Sequence, residues 1–535
     1  MERREIVLVL ALLLLAIAIR LPGIERPLYG DEADWLKSAK IVVDGDERWP
    51  NAFVSDNPPL GKATYAFFYW LGFDNLRLVA LLFGLATLLL AWWVTREFLG
   101  SKVGLVVFAL LAVSVYHIVA SQQVDRDGSM IAFLALLTMY TYMKYAQSAS
   151  KSWLALSAAA FTANVLMRTT MLAAIVPLLA YDYAKSKKIG VKKYVCRYWP
   201  YAAGFALSFI IWAWLDMILG LPTLTMKTLL HYTEPLGYGL NERILRMGVA
   251  GARILARLTV PLAIALLVSL YYLRSKWSGF SSTAQAFLLA NLAWIGIGMV
   301  YALLALRGDP PRYFGTFVPS IAIVVGLVAT SARKVGKKWM ILTALFTLAY
   351  VGVLAYMDFN EVNLLLMWVP AVAAFVVAAA YLVIDFNLNR LVAMLVVMSM
   401  ATSAFMLTDY RTYDALRSHA VADATDYFNL VGAQKIAESQ ERTLDLYVEG
   451  NVEQYEIVTG QHRPFGQGSE PPDEPPHAVP AGYYVVDFPL KPLQLDPAVG
   501  AQFRFNLFDE QWVKHCEHIR TYEIHSIIVS EFYKC

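Results

Sequence analysis

Charge is what this chain has least of: Asp, Glu, Lys and Arg together make up 16% of its 535 residues, against 58% hydrophobic residues. A water-soluble globule of this size needs more polar surface than that, so a bilayer is the natural solvent for most of the chain. Cysteine is scarce too, at three residues, which excludes a disulfide-stapled scaffold. Cys196 stands in a basic loop, which leaves Cys516 and Cys535 as the pair able to bridge. No small-residue cleavage site follows the first apolar run, 6–19, so that run reads as a retained first span rather than a signal peptide. The internal repeat that marks many secondary transporters is missing. So is any basic-aromatic platform, which argues against nucleic acid as a partner.

What the chain does have is apolar runs approaching the roughly 20 residues that cross ~30 Å of hydrocarbon. They recur near 6–22, 77–99, 103–120, 129–147, 153–167, 170–184, 198–217, 256–273, 284–306, 313–330, 339–356, 363–384 and 391–408, and then stop. The reading is an α-helical polytopic membrane protein of about 13 spans over 1–408, followed by a soluble domain over 409–535. Charge divides at the same place: 35 Lys+Arg and 22 Asp+Glu before it, 10 and 20 after it. Basic residues gather in alternate short loops, at Arg96 and Lys102, Lys144 and Lys151, 185–193, Arg274 and Lys276, 333–338 and Arg390. By the positive-inside rule those loops and the N-terminus are cytoplasmic. A multi-pass protein of the cell membrane then carries its C-terminal domain outside, together with the loops 22–76, 121–128 and 219–255.

The tail opens with a polar helical stretch, 414–439, and continues in short β-like runs at 444–448, 455–458, 483–488, 503–508 and 526–529. An extracytoplasmic α/β domain is expected, with the proline-rich stretch 464–482 as a surface loop. A strand, a turn and a returning strand between Cys516 and Cys535 would let the two form a disulfide.

Three outer segments hold the residues for chemistry. The first is the long loop 22–76, with Asp31-Glu32, then Asp34, then Asp56-Asn57-Pro58-Pro59-Leu60-Gly61-Lys62. It reads either as a polar loop with a Pro-Pro turn or as a functional loop, and its length favours the second. Asp31 and Glu32 follow the first span closely, where partial desolvation raises the basicity of a carboxylate. The second is Asp125-Arg126-Asp127 before the fourth span. Asp127 suits an N-cap, but topology also sets it on the same face as Asp31. The third is Arg307-Gly308-Asp309-Pro310-Pro311-Arg312-Tyr313. Arginine is unusual in a short outer junction, and guanidinium pairs with phosphate, of a substrate or of a lipid headgroup. Asp44-Gly45-Asp46 reads as a turn. His515, Cys516 and His518 alternate across a strand and make a poor metal cluster. A divalent metal at Asp125 and Asp127 stays open, and no cofactor is otherwise indicated.

The first span, the outer loop opening on Asp31-Glu32 and the string Asn57-Pro58-Pro59-Leu60-Gly61-Lys62 resemble the protein O-mannosyltransferases and their bacterial relatives that transfer aminoarabinose to lipid A. These are glycosyltransferases of the GT-C fold, and the resemblance covers mainly residues 1–170. In it, Asp31-Glu32 matches the acidic pair, Asp127 the second acidic position, and Arg312-Tyr313 a basic-aromatic pair near the donor phosphate. Asn57 departs from the His or Lys of the relatives. The usual repeat domain is not seen in the tail, and there is no WWDYG string of the oligosaccharyltransferases. The resemblance implies transfer of one sugar from a polyprenyl (dolichyl) phosphate to a protein, lipid or glycan acceptor at the outer face. Asp31, Glu32 and Asp127 would be catalytic, and Lys62, Arg126, Arg312 and Tyr313 would hold the donor phosphate. The alternative from another class is a transporter or flippase for a lipid-linked sugar.

Overall fold

The computed structural model describes residues 3–25, 31–45, 58–185, 191–218, 258–304, 315–332, 337–359, 387–430, 435–438, 451–458, 461–464, 483–487, 517–524 and 527–534. The chain divides into two compact units, one of residues 1–24, 38–348 and 373–404, the other of 25–37, 349–372 and 405–535.

The first unit is helical. Its elements begin with α1 (Arg3–Arg20), then α2 (Asp31–Asp44), whose first residues belong to the second unit, and α3 (Leu60–Trp70). They continue with α4 (Arg77–Leu99), α5 (Ser101–Val113), α6 (Val115–Ala120), α7 (Ile131–Ser148), α8 (Lys151–Met167), α9 (Ile175–Lys185) and α10 (Val191–Ile218). After these come α11 (Val260–Lys276), α12 (Ser282–Leu304) and α13 (Val318–Thr330), then α14 (Lys337–Phe359) and α15 (Leu388–Leu430), whose C-terminal parts, from Ala349 and from Phe405, belong to the second unit. Among the described residues five helices are long and apolar enough to cross a bilayer: Arg3–Gly23, Arg77–Leu99, Tyr194–Ile218, Ser282–Val300 and Leu388–Thr408. The expected span 363–384 lies outside the described residues.

The outer loop brings one correction and one agreement. The outer loop 22–76 is not simply a polar loop, because it contains α2 and α3. Their apolar positions are too few, or too close to the Pro-Pro turn, to announce helices by periodicity. The junction Asp44-Gly45 is the turn expected: α2 ends there and Gly45 sits at φ +69°.

Packing explains which helix is central. Every residue of α13 from Val318 to Val328 is buried, as suits a helix that is apolar all round. It packs against α5, α11 and α12. The surface is the reverse: Leu14, Ile210 and Leu348 are 67%, 63% and 70% exposed, the outward side chains of helices meant for lipid.

Four helices are fastened together by one polar network. The buried Asp182 carboxylate accepts from the Tyr142 and Tyr198 hydroxyls and pairs with Arg197 at 2.5 Å. Beside it the Tyr201 hydroxyl donates to Ser157 Oγ at 2.7 Å, and Ser157 donates to the Thr138 carbonyl at 2.8 Å. Burying these groups is tolerable because the carboxylate, the three hydroxyls and Arg197 Nη1 find partners, and the network then fixes α7, α8, α9 and α10 relative to one another.

The second unit holds a six-stranded sheet of β1 (Lys435–Glu438), β2 (Asn451–Val458), β3 (Gln461–Pro464), β4 (Tyr483–Asp487), β5 (Glu517–Ile524) and β6 (Ile527–Lys534), in the order β3-β2-β1-β4-β6-β5. β1 pairs parallel with β2 and β4, and the other pairings are antiparallel. The helical stretch expected over 414–439 ends at Leu430, and Lys435–Glu438 is a strand. Local propensity of Lys-Ile-Ala-Glu favours a helix, and the two parallel neighbours override it. The runs expected at 444–448 and 503–508, and residues His515, Cys516 and Cys535, lie outside the described residues; His518 is in β5.

Candidate functional site

The site begins with a helix that breaks. α5 stops at Val113, Ser114 is extended (φ −66°, ψ 118°), and α6 restarts at Val115. A break of this kind leaves the carbonyls of the last helical turn without partners. Arg20, at the end of α1 and fully buried, supplies them. Its guanidinium donates to the Ala112 carbonyl at 2.9 Å, to Leu111 at 3.3 Å and to Ala16 of its own helix at 3.0 Å. Nε donates to Ser121 Oγ at 2.8 Å. The remaining N–H meets His117 Nδ1 at 3.0 Å. Arginine can only donate, so His117 Nδ1 accepts and the imidazole proton sits on Nε2. The Gln122 amide closes the knot on the Arg20 carbonyl. Arg20 thereby ties α1 and the α5–α6 break to the turn 121–125.

That turn leads into the acidic segment. The Tyr65 hydroxyl, from α3, donates to the Asp125 carbonyl at 3.3 Å. Arg126–Met130 then forms a π-helical turn interrupted at Gly128 (φ −82°, ψ −112°). Such turns recur at functional positions because they re-aim side chains within a helix. Gly128 is required by space: a Cβ there would lie 2.5 Å from the Ala120 carbonyl oxygen. Ser129 Oγ donates to the Ala80 carbonyl at 2.8 Å and anchors the turn on α4.

Two further elements of the same unit meet here. Lys62, one helical turn before Tyr65 on α3, is buried. The 3-10 turn Gly315–Phe317 packs against Arg126–Met130, with Gly315 on the ring of Tyr116. It is held by Trp294, whose Nε1 donates to the Thr316 carbonyl at 3.3 Å and whose ring lies 4.6 Å from that of Phe317. Arg168, buried at the end of α8, donates from Nε to Thr170 at 3.2 Å, and α3 packs on α8.

Several helices stop short of a full crossing around this region. α5, α9 and α13, of 13, 11 and 13 residues, span only ~16–20 Å. Thr259, just ahead of α11, takes φ +64° and pairs its hydroxyl with Ser399 at 2.7 Å. A β-branched residue at positive φ is strained backbone. Irregular backbone at membrane depth is tolerated where it is buried in protein or lines a cavity.

Of the residues singled out from sequence, Lys62 and Asp125 stand in this region, in the first unit, and both are buried. Asp31 opens α2, and Glu32 beside it is buried in the second unit. The side chains of Asp31, Arg126 and Asp127, and residues Arg312 and Tyr313 as a whole, lie outside the described residues. Among the described residues no three His, Cys, Asp or Glu side chains are grouped to hold a metal. Sequence reasoning missed Arg20, Tyr65, His117 and Arg168. Arg168 carried a usable signal, being a basic residue in the junction 167–170 that topology assigns to the outer side.

Residues 56–215 match the family described as dolichyl-phosphate-mannose-protein mannosyltransferase. Among curated proteins none matches the chain in sequence. In solved structures the chain is similar to ArnT from Cupriavidus metallidurans in the apo state, with a TM-score of 0.57 and 16% identity over 98% of this chain and 97% of that one. The same protein bound to undecaprenyl phosphate gives a TM-score of 0.56, again at 16% identity over 98% and 97%. The arabinosyltransferase EmbB from Mycobacterium smegmatis follows at 0.46 and 16%, over 76% of this chain and 41% of that one. The likeness to ArnT shows the fold, a helical membrane architecture of the GT-C class.

Proposed function

We propose that this chain is a membrane glycosyltransferase that moves one sugar from a polyprenyl-phosphate carrier to an acceptor hydroxyl at the outer membrane face, with inversion at the anomeric carbon. The observation that carries the reading is where the family match falls: residues 56–215 include Lys62, Tyr65 and the whole Asp125–Met130 turn. The fold shared with ArnT, one of whose structures holds undecaprenyl phosphate, supports the class of donor. A lipid carrier needs this architecture, since its isoprenoid stays in hydrocarbon while its phosphosugar must reach polar groups. Helices shorter than a full crossing leave room for that below the membrane surface.

The chemistry follows from charge. The acceptor oxygen attacks the anomeric carbon and the bond from that carbon to the phosphate oxygen breaks. The acceptor proton passes to Asp31 as general base, with Glu32 and Asp127 as the accompanying carboxylates. The electron pair leaves with polyprenyl phosphate, whose growing charge is met by Lys62, Arg126, Arg312 and Tyr313. Gly315–Phe317 packs on the Arg126–Met130 turn, and Tyr313 precedes it by two residues, which supports their sharing one site. Arg168 joins this cationic set. The acceptor is a protein, lipid or glycan hydroxyl.

On this reading the multi-pass protein of the cell membrane has a cytoplasmic N-terminus, and residues 409–535 form an extracytoplasmic α/β domain. Glu517 pairs with Lys534 across β5 and β6, and the next positions outward in sequence are Cys516 and Cys535, which supports a disulfide between them. Mass analysis of unreduced peptides reads this directly: one linked peptide is expected, and two alkylatable thiols would contradict it.

The reaction is tested with purified protein and a polyprenyl-phosphate-linked sugar labelled in the sugar. Glycosyl transfer releases free polyprenyl phosphate in step with labelled acceptor. Movement of intact donor across a vesicle membrane without release would establish a flippase instead.

A further inference from the structure

A second site lies at the far end of α4 from the acidic turn, among residues with no part in the proposed reaction. A groove of about 450 Å³ is lined there by Trp93, Arg96, Glu97 and Ser101. Arg96 is pre-set in it. Its Nε lies 2.8 Å from the Glu5 carboxylate of α1, and its guanidinium carbon stands 5.9 Å and 5.8 Å from the ring centres of Trp92 and Trp93. Among the described residues its two terminal nitrogens donate no hydrogen bond, and the side chain is 27% exposed.

The carboxylate in the groove is already answered. Glu97 accepts from Lys144 at 2.8 Å and from the Tyr140 hydroxyl at 3.0 Å, and Trp93 Nε1 donates to the same hydroxyl at 3.0 Å. Trp93 is thus held with 44% of its surface exposed, and Leu89, one turn away, offers apolar surface beside it. Arg3, Arg4 and Lys102, next in sequence to Glu5 and Ser101, are exposed. Among the described residues the neighbourhood therefore carries five basic side chains against two carboxylates, both of them paired, and Glu2 is the one further carboxylate next to Arg3 in sequence.

A guanidinium with its terminal N–H groups free matches the two oxygens of a phosphate in bidentate fashion. An aromatic ring and an apolar helix face next to it suit the glycerol and the first methylenes of an acyl chain. The geometry points to a binding site for the phosphate of an anionic glycerophospholipid, taken from the leaflet at the end of the bundle where the basic junctions gather. An excess of positive charge selects net-negative over zwitterionic headgroups.

Native mass spectrometry of the full chain in detergent tests this, with dioleoyl phosphatidylglycerol and dioleoyl phosphatidylcholine offered in turn. The expected result is a phosphatidylglycerol adduct that outweighs the phosphatidylcholine one and falls about tenfold in Arg96→Gln. Lys151→Gln, an exposed cation outside the groove, should leave it unchanged. Arg96→Gln strands the buried Glu5, so the Glu5→Gln/Arg96→Gln double variant serves if the single one does not fold, with the same loss expected. Equal adducts of the two lipids, undiminished phosphatidylglycerol binding in either Arg96 variant, or full displacement of the lipid by inorganic phosphate would each overturn the assignment.

Discussion

The two ends of α4 solve opposite problems with the same kinds of residue. α4 is ~34 Å long at 1.5 Å per residue, enough to set its ends on opposite sides of the hydrocarbon. Toward one end, Asp182, Arg197, Tyr142 and Tyr198 close a buried network between regular helices, the buried Glu5 pairs with Arg96, and Glu97 pairs with Lys144 nearer the surface. Toward the other, polar groups serve irregular backbone: Arg20 covers the carbonyls at a helix break, Tyr65 and Ser129 hold a π-helical turn, and Thr259 is strained. Charge paired with charge fixes one end. Charge paired with backbone, at the other, holds conformations that no helix would adopt unaided. Function is to be sought at the irregular end, because irregular backbone within a membrane needs a reason to persist.

Substitutions at the two ends should therefore have different consequences. Asp182→Ala should give the largest loss of stability, about 3–5 kcal/mol, since it strands the Arg197 charge among the tyrosine hydroxyls. Thermal unfolding in detergent would show it, with turnover per folded molecule little changed. Gly128→Ala should cost about 1–3 kcal/mol, because the Ala120 carbonyl is backbone and cannot step aside cheaply. Here the loss should show in turnover more than in unfolding temperature. Tyr65→Phe should have the smallest effect, removing one long hydrogen bond worth about 0.5–1 kcal/mol. A two- to fivefold fall in turnover without a change in unfolding would place it with the irregular end.

The five long apolar helices among the described residues were legible in sequence because lipid demands unbroken apolar runs, and such runs announce themselves whatever the neighbours are; the count of 13 spans is not established by them. Lys62 and Asp125 drew attention in sequence for a different reason: charged residues in segments expected on the outer side invite an explanation, and both are buried. The break at Ser114 was not legible, since Val-Ser-Val contains neither proline nor glycine and only Arg20 makes the break sustainable. Arg20 itself reads as an ordinary charged end of a span. Its value depends on carbonyls about 90 residues away in sequence, a distance no local pattern reports. Strand β1 was misread because its neighbours in the sheet, not its composition, decide its conformation.

On the proposed function, the acidic pair Asp31-Glu32 performs sugar transfer from a lipid phosphate. The most direct measurement is single-turnover release of polyprenyl phosphate by Asp31→Asn, which keeps the size of the side chain and removes its basicity. A fall of about 100-fold or more is expected, with donor binding retained. Release at the wild-type rate would contradict it.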